Sequence, residues 1–101
     1  MAALHSQTVV VGAFEWDSAK DFSNQTKHGV SLHTAMEAFS DPQAIVLSDE
    51  IHSTPAEIRQ FLVGQAGGRV PTVRYTYRRG RVRLLGAGYW RKFLKLYHAS
   101  H

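Results

Sequence analysis

The sequence predicts a single α+β domain in which two N-terminal helices come first, an antiparallel sheet follows and a C-terminal helix closes the chain. Three observations lead to this fold class. A length of 101 residues suits one hydrophobic core. Apolar residues recur at helical spacing towards the two ends of the chain. Between them, short segments of β-forming residues are separated by glycine-containing turns.

The two N-terminal helices are predicted from their caps. Asp17 is a suitable N-cap for a helix over residues 18–27, and Gly29 suits the left-handed position that ends it. Ser31 caps a second helix, in which apolar residues recur at helical spacing until Asp41-Pro42 ends it.

The sheet and the closing helix are predicted from the remaining segments. The strands cover residues 44–47, 59–64, 71–77 and 81–85, a polar loop covers 48–55, and the last helix covers 89–98. Residues 1–13 are interpreted as a variable N-terminal extension in which residues 8–11 are a candidate strand. Residues 14–101 then form the domain.

Charge is distributed unevenly along the chain. All eight acidic residues lie in the first 57 positions, which sum to −6 with their two lysines. Residues 58–101 carry ten arginines and lysines, no acidic residue and a charge of +10. In one small domain this division produces an electropositive side, which favours a polyanionic partner such as nucleic acid.

Composition excludes several classes of function. The chain has no cysteine, which excludes disulfides and thiol chemistry. Its longest apolar run, at residues 9–14, is far too short to span a bilayer, and no basic segment precedes it as in a signal peptide. We therefore expect a cytoplasmic protein with no membrane partner.

The hairpin at residues 72–85 concentrates arginines on one face of the sheet. With Arg79-Gly80 as its turn, directly opposed residues share a face. The opposed pairs are Arg78 with Arg81, Tyr77 with Val82, Thr76 with Arg83 and Arg74 with Leu85. The other face, which packs on the helices, carries Val73, Tyr75, Tyr77, Val82 and Leu84. Because guanidinium groups suit phosphate oxygens, the inner pair Arg74 and Arg83 favours phosphate binding.

The segment after the last strand is both a closing helix and a candidate phosphate site. Gly86 and Gly88 allow the backbone to turn sharply or to approach a ligand closely. The helix N-terminus, beside Arg83 and Arg91, can bind an anion. Tyr89 and Trp90 stand at the first turn of this helix.

Several short motifs, in this order and spacing, resemble the BrnT family of toxins over about residues 14–97. The motifs are Phe14-Glu15-Trp16-Asp17 with Lys20 and Asn24, Lys27-His28-Gly29, Asp41-Pro42, His52-Ser53, Glu57 with Arg59, and Tyr75-Thr76-Tyr77-Arg78. BrnT proteins are small RelE-like ribonucleases of type II toxin–antitoxin systems. The resemblance therefore implies a RelE-like fold and metal-independent cleavage of RNA, in which the 2′-hydroxyl attacks the adjacent phosphorus.

This chemistry requires a base, an acid and cations that stabilise the phosphorane. Among the implied residues, the two histidines are the first candidates for proton transfer, because histidine titrates near neutral pH. The candidate catalytic residues are His28, His52, Arg59, Arg83, Tyr89 and Arg91, and the candidate substrate-binding residues are Lys27, Arg74, Arg78, Trp90 and Lys92. No metal and no cofactor are expected.

The chain departs from the family pattern after the last strand. Where many members carry Ser-Ala-Arg, this sequence has Gly86-Ala87-Gly88. Because Gly88 has no side chain, Arg91 is the candidate that replaces the family's arginine.

Three functions are open. The resemblance implies a ribonuclease toxin that acts on RNA, is neutralised by a BrnA-like DNA-binding antitoxin, and meets promoter DNA only through the antitoxin complex. A non-catalytic nucleic-acid-binding module would hold phosphate with the same arginines, and a docking protein would use its basic side to bind an acidic partner. Simpler roles also exist: His28 as a cation at a helix C-terminus, and Glu57 with Arg59 as a surface ion pair.

Overall fold

The computed structural model describes residues 6–101, which contain a six-stranded sheet. The strands are β1 (Thr8–Val11), β2 (Phe14–Asp17), β3 (Ile45–Ser48), β4 (Arg59–Val63), β5 (Thr72–Arg78) and β6 (Arg81–Gly88). The helices are α1 (Ser18–His28), α2 (Leu32–Ala35), which continues as a 3₁₀ helix (Met36–Ser40), and α3 (Arg91–Ala99). Within the described residues, no helix is long and apolar enough to cross a membrane. Residues 1–5 of the predicted extension lie outside the described residues.

The predicted fold class, a RelE-like domain with two N-terminal helices and an antiparallel sheet, is wrong. Strands β1 and β2 form an antiparallel pair before the first helix. The strand order is β1-β2-β6-β5-β4-β3, and β2 runs parallel to β6, so the sheet is mixed. The first helix therefore follows two strands, and α3 closes the chain.

The error arises at β2, because its four residues directly precede α1 and end at the N-cap of that helix, so they do not stand out as a strand. Asp17 is the N-cap of α1, as predicted, and its side chain accepts a hydrogen bond from the Lys20 N–H. The residues before it alternate between the two faces of the sheet: Trp16 is buried in the core, and Glu15 contacts Arg83. A strand this short needs β6 beside it, and local spacing does not reveal a partner so distant in the sequence.

The hydrophobic core lies between the helices that follow β2 and one face of the sheet. It consists of Trp16, Val30, Leu32, Ala35, Ala38, Leu62, Ala66, Val73, Tyr75, Leu84 and Ala87. Tyr77, which is predicted to pack with them, is instead 66% exposed near the turn of its hairpin. Helix α3 lies against the opposite face, where the rings of Phe61 and Phe93 are 5.0 Å apart between centroids.

The predicted register of the β5–β6 hairpin is confirmed near its turn and wrong further along. The turn residues Arg79 and Gly80 have φ angles of 54° and 78°, as a type I′ turn requires. The confirmed pairs are Arg78 with Arg81, Tyr77 with Val82 and Thr76 with Arg83. A register shift then places Gly86, rather than Leu85, opposite Arg74. The residue opposite this arginine is therefore the smallest available.

A buried ion pair joins β2 to β6. Nη1 of Arg83 donates to Oε2 of Glu15 at 2.5 Å, and the two side chains are 16% and 8% exposed. Breaking a fully buried pair by removing one partner costs about 3–5 kcal/mol, because the other charge is left unpaired.

Glu15→Ala should therefore lower the free energy of unfolding by about 2 kcal/mol, less than for a fully buried pair because Arg83 keeps some contact with solvent. Urea denaturation measures the change. The double variant Glu15→Leu, Arg83→Met should recover most of the loss, since it leaves no buried charge. A double variant as unstable as Glu15→Ala would contradict this explanation.

Helix α3 is attached to the rest of the fold through Tyr97. Its hydroxyl donates to Oδ2 of Asp41 at 2.7 Å, and Asp41 also accepts from the backbone N–H groups of Gln65 and Gln43. These hydrogen bonds, the one from Tyr97 first, hold the pKa of Asp41 below its ordinary value of 3.8. A carboxyl whose pKa is lowered on folding stabilises the fold above its unfolded pKa, and this contribution is lost as the pH falls through the lowered value.

Tyr97→Phe should lower the melting temperature by a few degrees at neutral pH, because it removes the hydroxyl from the Asp41 carboxylate. The difference from the wild type should shrink as the pH falls from 3.8 through the lowered pKa of Asp41 in the folded protein, where this carboxyl becomes protonated. Thermal unfolding at a series of pH values measures both effects. A difference that stays constant into acid would show that the hydroxyl stabilises α3 without the carboxylate.

Candidate functional site

A cavity of about 570 Å³, which we call the main cavity, opens between the loop after β3, strand β5 and the start of α3. Its volume lies in the range of roughly 300–1,000 Å³ that is typical of ligand-binding clefts. The cavity is lined by Ser48, Asp49, Glu50, Ile51, His52, Phe61, Arg74, Trp90, Lys92 and Phe93. It thus brings together four predicted site residues from three separate segments of the chain: His52, Arg74, and Trp90 with Lys92.

His52 is oriented by a buried carboxylate. Its Nδ1 lies 3.0 Å from Oδ1 and 2.9 Å from Oδ2 of Asp49, a residue that is only 4% exposed. A carboxylate only accepts hydrogen bonds, so Nδ1 carries the proton and Nε2 of the neutral imidazole is left as an acceptor. Because the His52 side chain is 49% exposed, Nε2 is accessible to a ligand in the cavity.

Ser53 ties the loop that carries His52 to the sheet. Its hydroxyl donates to the Asp49 carbonyl at 2.6 Å and accepts from the Arg59 N–H at 2.9 Å. The Asp49 N–H donates to the Arg59 carbonyl at 3.0 Å. The two residues of the His-Ser motif therefore have different roles: Ser53 fixes the loop, and His52 lines the cavity.

Arg74 lies between two cavities. It lines the main cavity and also a smaller cavity of about 170 Å³ beside α1. A Cβ at Gly86 would lie 3.4 Å from Nη2 of Arg74, which is an ordinary van der Waals contact, so the guanidinium lies directly over this glycine. Among residues 6–101, no carboxylate forms an ion pair with Arg74. Its charge and planar hydrogen-bond donors are thus available to a phosphate group.

Helix α1 supplies basic side chains on the other side of Arg74. Lys20, Lys27 and His28 line the smaller cavity together with Arg74. His28 ends the helix, and Gly29 follows in the left-handed conformation with φ 70°, as predicted. Three predicted site residues, Lys27, His28 and Arg74, therefore meet at this cavity.

Asn24 holds α1 in place against β6. Its Oδ1 accepts from the Ala87 N–H at 3.0 Å, and its Nδ2 donates to the Val30 carbonyl at 2.9 Å. The paired residues of β2 and β6 end at Leu84, so the Asn24 side chain provides a partner for the backbone of β6 beyond the end of β2. The position of the basic groups on α1 therefore depends on this buried amide.

Trp90 packs on Gly88 and contacts His28. A Cβ at Gly88 would lie only 2.6 Å from the indole, so the indole can occupy this position only beside a glycine. The ring centroids of Trp90 and His28 are 5.5 Å apart. The glycine that replaces the arginine of the Ser-Ala-Arg pattern therefore makes room for Trp90, which is 40% exposed.

Three of the predicted arginines form ion pairs with two carboxylates. Arg59 and Arg78 both bind Glu57, with shortest distances of 3.0 Å and 2.6 Å. The hydrogen bond from Arg78, and after it that from Arg59, lowers the pKa of Glu57. Arg83 binds Glu15. Arg83 therefore joins β6 to β2, Arg78 joins β5 to the loop before β4, and two carboxylates offset two of the three positive charges.

Tyr89 and Arg91 do not line the main cavity. They line another cavity, of about 440 Å³, together with Arg69, and Trp90 lines both cavities. The Arg69 guanidinium lies over the Tyr89 ring at 3.5 Å from the centroid. The structure thus separates Tyr89 and Arg91 from His52 and Arg74.

Two residues of the site are absent from the sequence-based candidates. Asp49 was missed, although its spacing of three residues before His52 in a polar loop is a usable signal for a carboxylate–histidine pair. Asn24 was named only as part of a family motif, and its spacing gives no sign that it binds β6. In the described part of the chain, no three His, Asp or Glu side chains converge as metal ligands.

A protein-family model described as "Ribonuclease toxin, BrnT, of type II toxin-antitoxin system" matches residues 16–93. That span includes every residue that lines the main cavity. No curated protein matches the chain.

Proposed function

The chain belongs to the BrnT family of ribonuclease toxins of type II toxin–antitoxin systems, and from this premise we propose that it cleaves RNA, without a metal, in the main cavity. One observation carries the proposal. His52, oriented by the buried Asp49, lines the same cavity as the unpaired guanidinium of Arg74. A proton acceptor and a phosphate-binding cation therefore face one ligand-sized space.

The reaction begins at the ribose 2′-hydroxyl. Nε2 of His52 accepts the hydroxyl proton as the 2′-oxygen forms a bond to the adjacent phosphorus. The Asp49 carboxylate beside Nδ1 stabilises the imidazolium that results, as a carboxylate does for a catalytic histidine elsewhere.

The reaction is completed when the bond between phosphorus and the 5′-oxygen breaks. His28, which lines the smaller cavity on the other side of Arg74, donates a proton to the leaving 5′-oxygen, so the products are a 2′,3′-cyclic phosphate and a free 5′-hydroxyl. Arg74 stabilises the charge on the phosphorane, and Lys27 and Lys92 at the edges of the two cavities add to the positive potential. Trp90 stacks on an adjacent base.

The remaining arginines of the hairpin act indirectly in this proposal. Arg59, Arg78 and Arg83 already have carboxylate partners and keep β4, β5 and β6 in register. The protein then acts as a cytoplasmic toxin that inhibits translation and growth. A BrnA-like antitoxin neutralises it, and promoter DNA is bound only through the antitoxin complex.

Incubation of the purified, antitoxin-free protein with total RNA in EDTA tests the proposal. Cleavage products that end in 2′,3′-cyclic phosphate are expected for the wild type and not for an Arg74→Ala, His52→Ala double variant. Cleavage that appears only when a divalent cation is added would overturn metal independence. Intact RNA that remains bound to the protein would favour a nucleic-acid-binding module instead.

A further inference from the structure

The cavity beside Tyr89 adjoins the proposed cleavage site and is not used by the proposed reaction. Its volume is about 440 Å³, and it is lined by Arg69, Val70, Tyr89, Trp90, Arg91 and Leu94. Trp90 lines this cavity and the main one, so the two spaces are neighbours along the start of α3.

The lining combines positive charge with aromatic rings. It contains two arginines and no carboxylate. Among residues 6–101, neither Arg69 nor Arg91 forms an ion pair. Arg69 is instead placed over the Tyr89 ring, at 3.5 Å from its centroid, which leaves its hydrogen-bond donors without a carboxylate partner.

The turn that carries Arg69 is held in one conformation. Gly67 and Gly68 have φ angles of 59° and 76°, and Ala66 and Arg69 exchange two backbone hydrogen bonds of 2.8 and 3.1 Å. Glu37 accepts from the Gly67 N–H at 3.0 Å. Because the turn is fixed at several points, the Arg69 side chain starts from a defined position beside the cavity.

We infer that this cavity binds the nucleotide next to the scissile phosphate, with its phosphate on Arg69 and Arg91 and its base on the exposed ring of Trp90. The inference rests on the proposed function, because it assumes that the ligand in the main cavity is RNA. Single-stranded nucleic acid is typically held by such a combination of arginines and aromatic side chains, whatever the base sequence. An RNA strand then passes from Arg74 across Trp90 to Arg69.

The affinity for short 2′-O-methyl oligoribonucleotides, which lack the attacking hydroxyl, tests this inference by fluorescence anisotropy. The wild type should bind a tetranucleotide about tenfold more tightly than a dinucleotide, since the longer strand adds both a phosphate on Arg69 and Arg91 and a base on Trp90. Arg69→Ala should abolish most of this gain and leave the affinity for the dinucleotide within about twofold of the wild type. Arg69→Lys should recover only part of the gain, because the lysine does not stack as a guanidinium does.

Arg79→Ala is the matched control, since it removes one exposed arginine from a different turn. Arg79→Ala should keep the full difference in affinity between the tetranucleotide and the dinucleotide. Equal gains in Arg69→Ala and the wild type would overturn the inference, as would an equal loss of affinity for both oligonucleotides. If Arg69→Ala is found unfolded by its thermal transition, Arg91→Ala on the exposed start of α3 makes the same comparison. The experiment measures binding only. A protein that binds the tetranucleotide more tightly than the dinucleotide but never cleaves RNA would therefore refute the proposed function and still support this binding site.

Discussion

Arg74→Ala should reduce the rate of RNA cleavage by about 10²–10³-fold, the usual effect of removing one group that stabilises a charged transition state. Arg74 has no carboxylate partner among the described residues and lines both the main cavity and the cavity beside α1. Its loss removes the only guanidinium among the described residues that line the main cavity. Single-turnover cleavage of a labelled RNA measures the effect, and urea denaturation shows whether the variant is folded.

Arg81→Ala is the matched control for this prediction. Arg81 is an exposed arginine at the turn of the same hairpin, and no ion pair within residues 6–101 includes it. Its loss changes the net charge by the same amount but should change the rate less than about twofold, since an exposed charge is screened by salt. Equal losses in the two variants would show that the whole positive surface matters and not Arg74 in particular.

His52→Ala should reduce the cleavage rate by about 10²–10⁴-fold, as expected for loss of a general base. The variant should also lose the acidic limb of the pH–rate profile, because no imidazole remains beside Asp49 to become protonated. Rate measurements from acid to neutral pH test both effects. A variant that keeps the wild-type profile would exclude His52 as the base.

Asp49→Asn separates orientation from proton transfer. The asparagine keeps the size of the side chain but removes the charge that fixes the proton on Nδ1 of His52. We expect a smaller loss of rate than in His52→Ala and a retained pH dependence, since the imidazole is still present. His33→Ala, which removes an exposed histidine from α2, is the control and should leave both the rate and the profile unchanged.

The site illustrates how far spacing along the chain can predict function. Local pattern was sufficient to select Arg74 as a candidate for phosphate binding and to place it on the same face as Arg78 and Arg83. It was insufficient to show which of the three arginines is free to bind a ligand, because that depends on carboxylates in distant parts of the sequence. Glu57 binds Arg78 across 21 positions, and Glu15 binds Arg83 across 68. Only Arg74 of this set is left without a carboxylate in the described structure.

Local residue patterns were enough to predict the features that act over a few residues. The N-cap at Asp17, the left-handed Gly29 and the Arg79-Gly80 turn follow from local backbone preferences, and the motifs identified the family. The parallel pairing of β2 with β6 and the meeting of His52 with Arg74 depend instead on the packing of the whole domain. Such contacts join segments that are far apart in the chain, and their free energy appears only when packing closes the intervening loop.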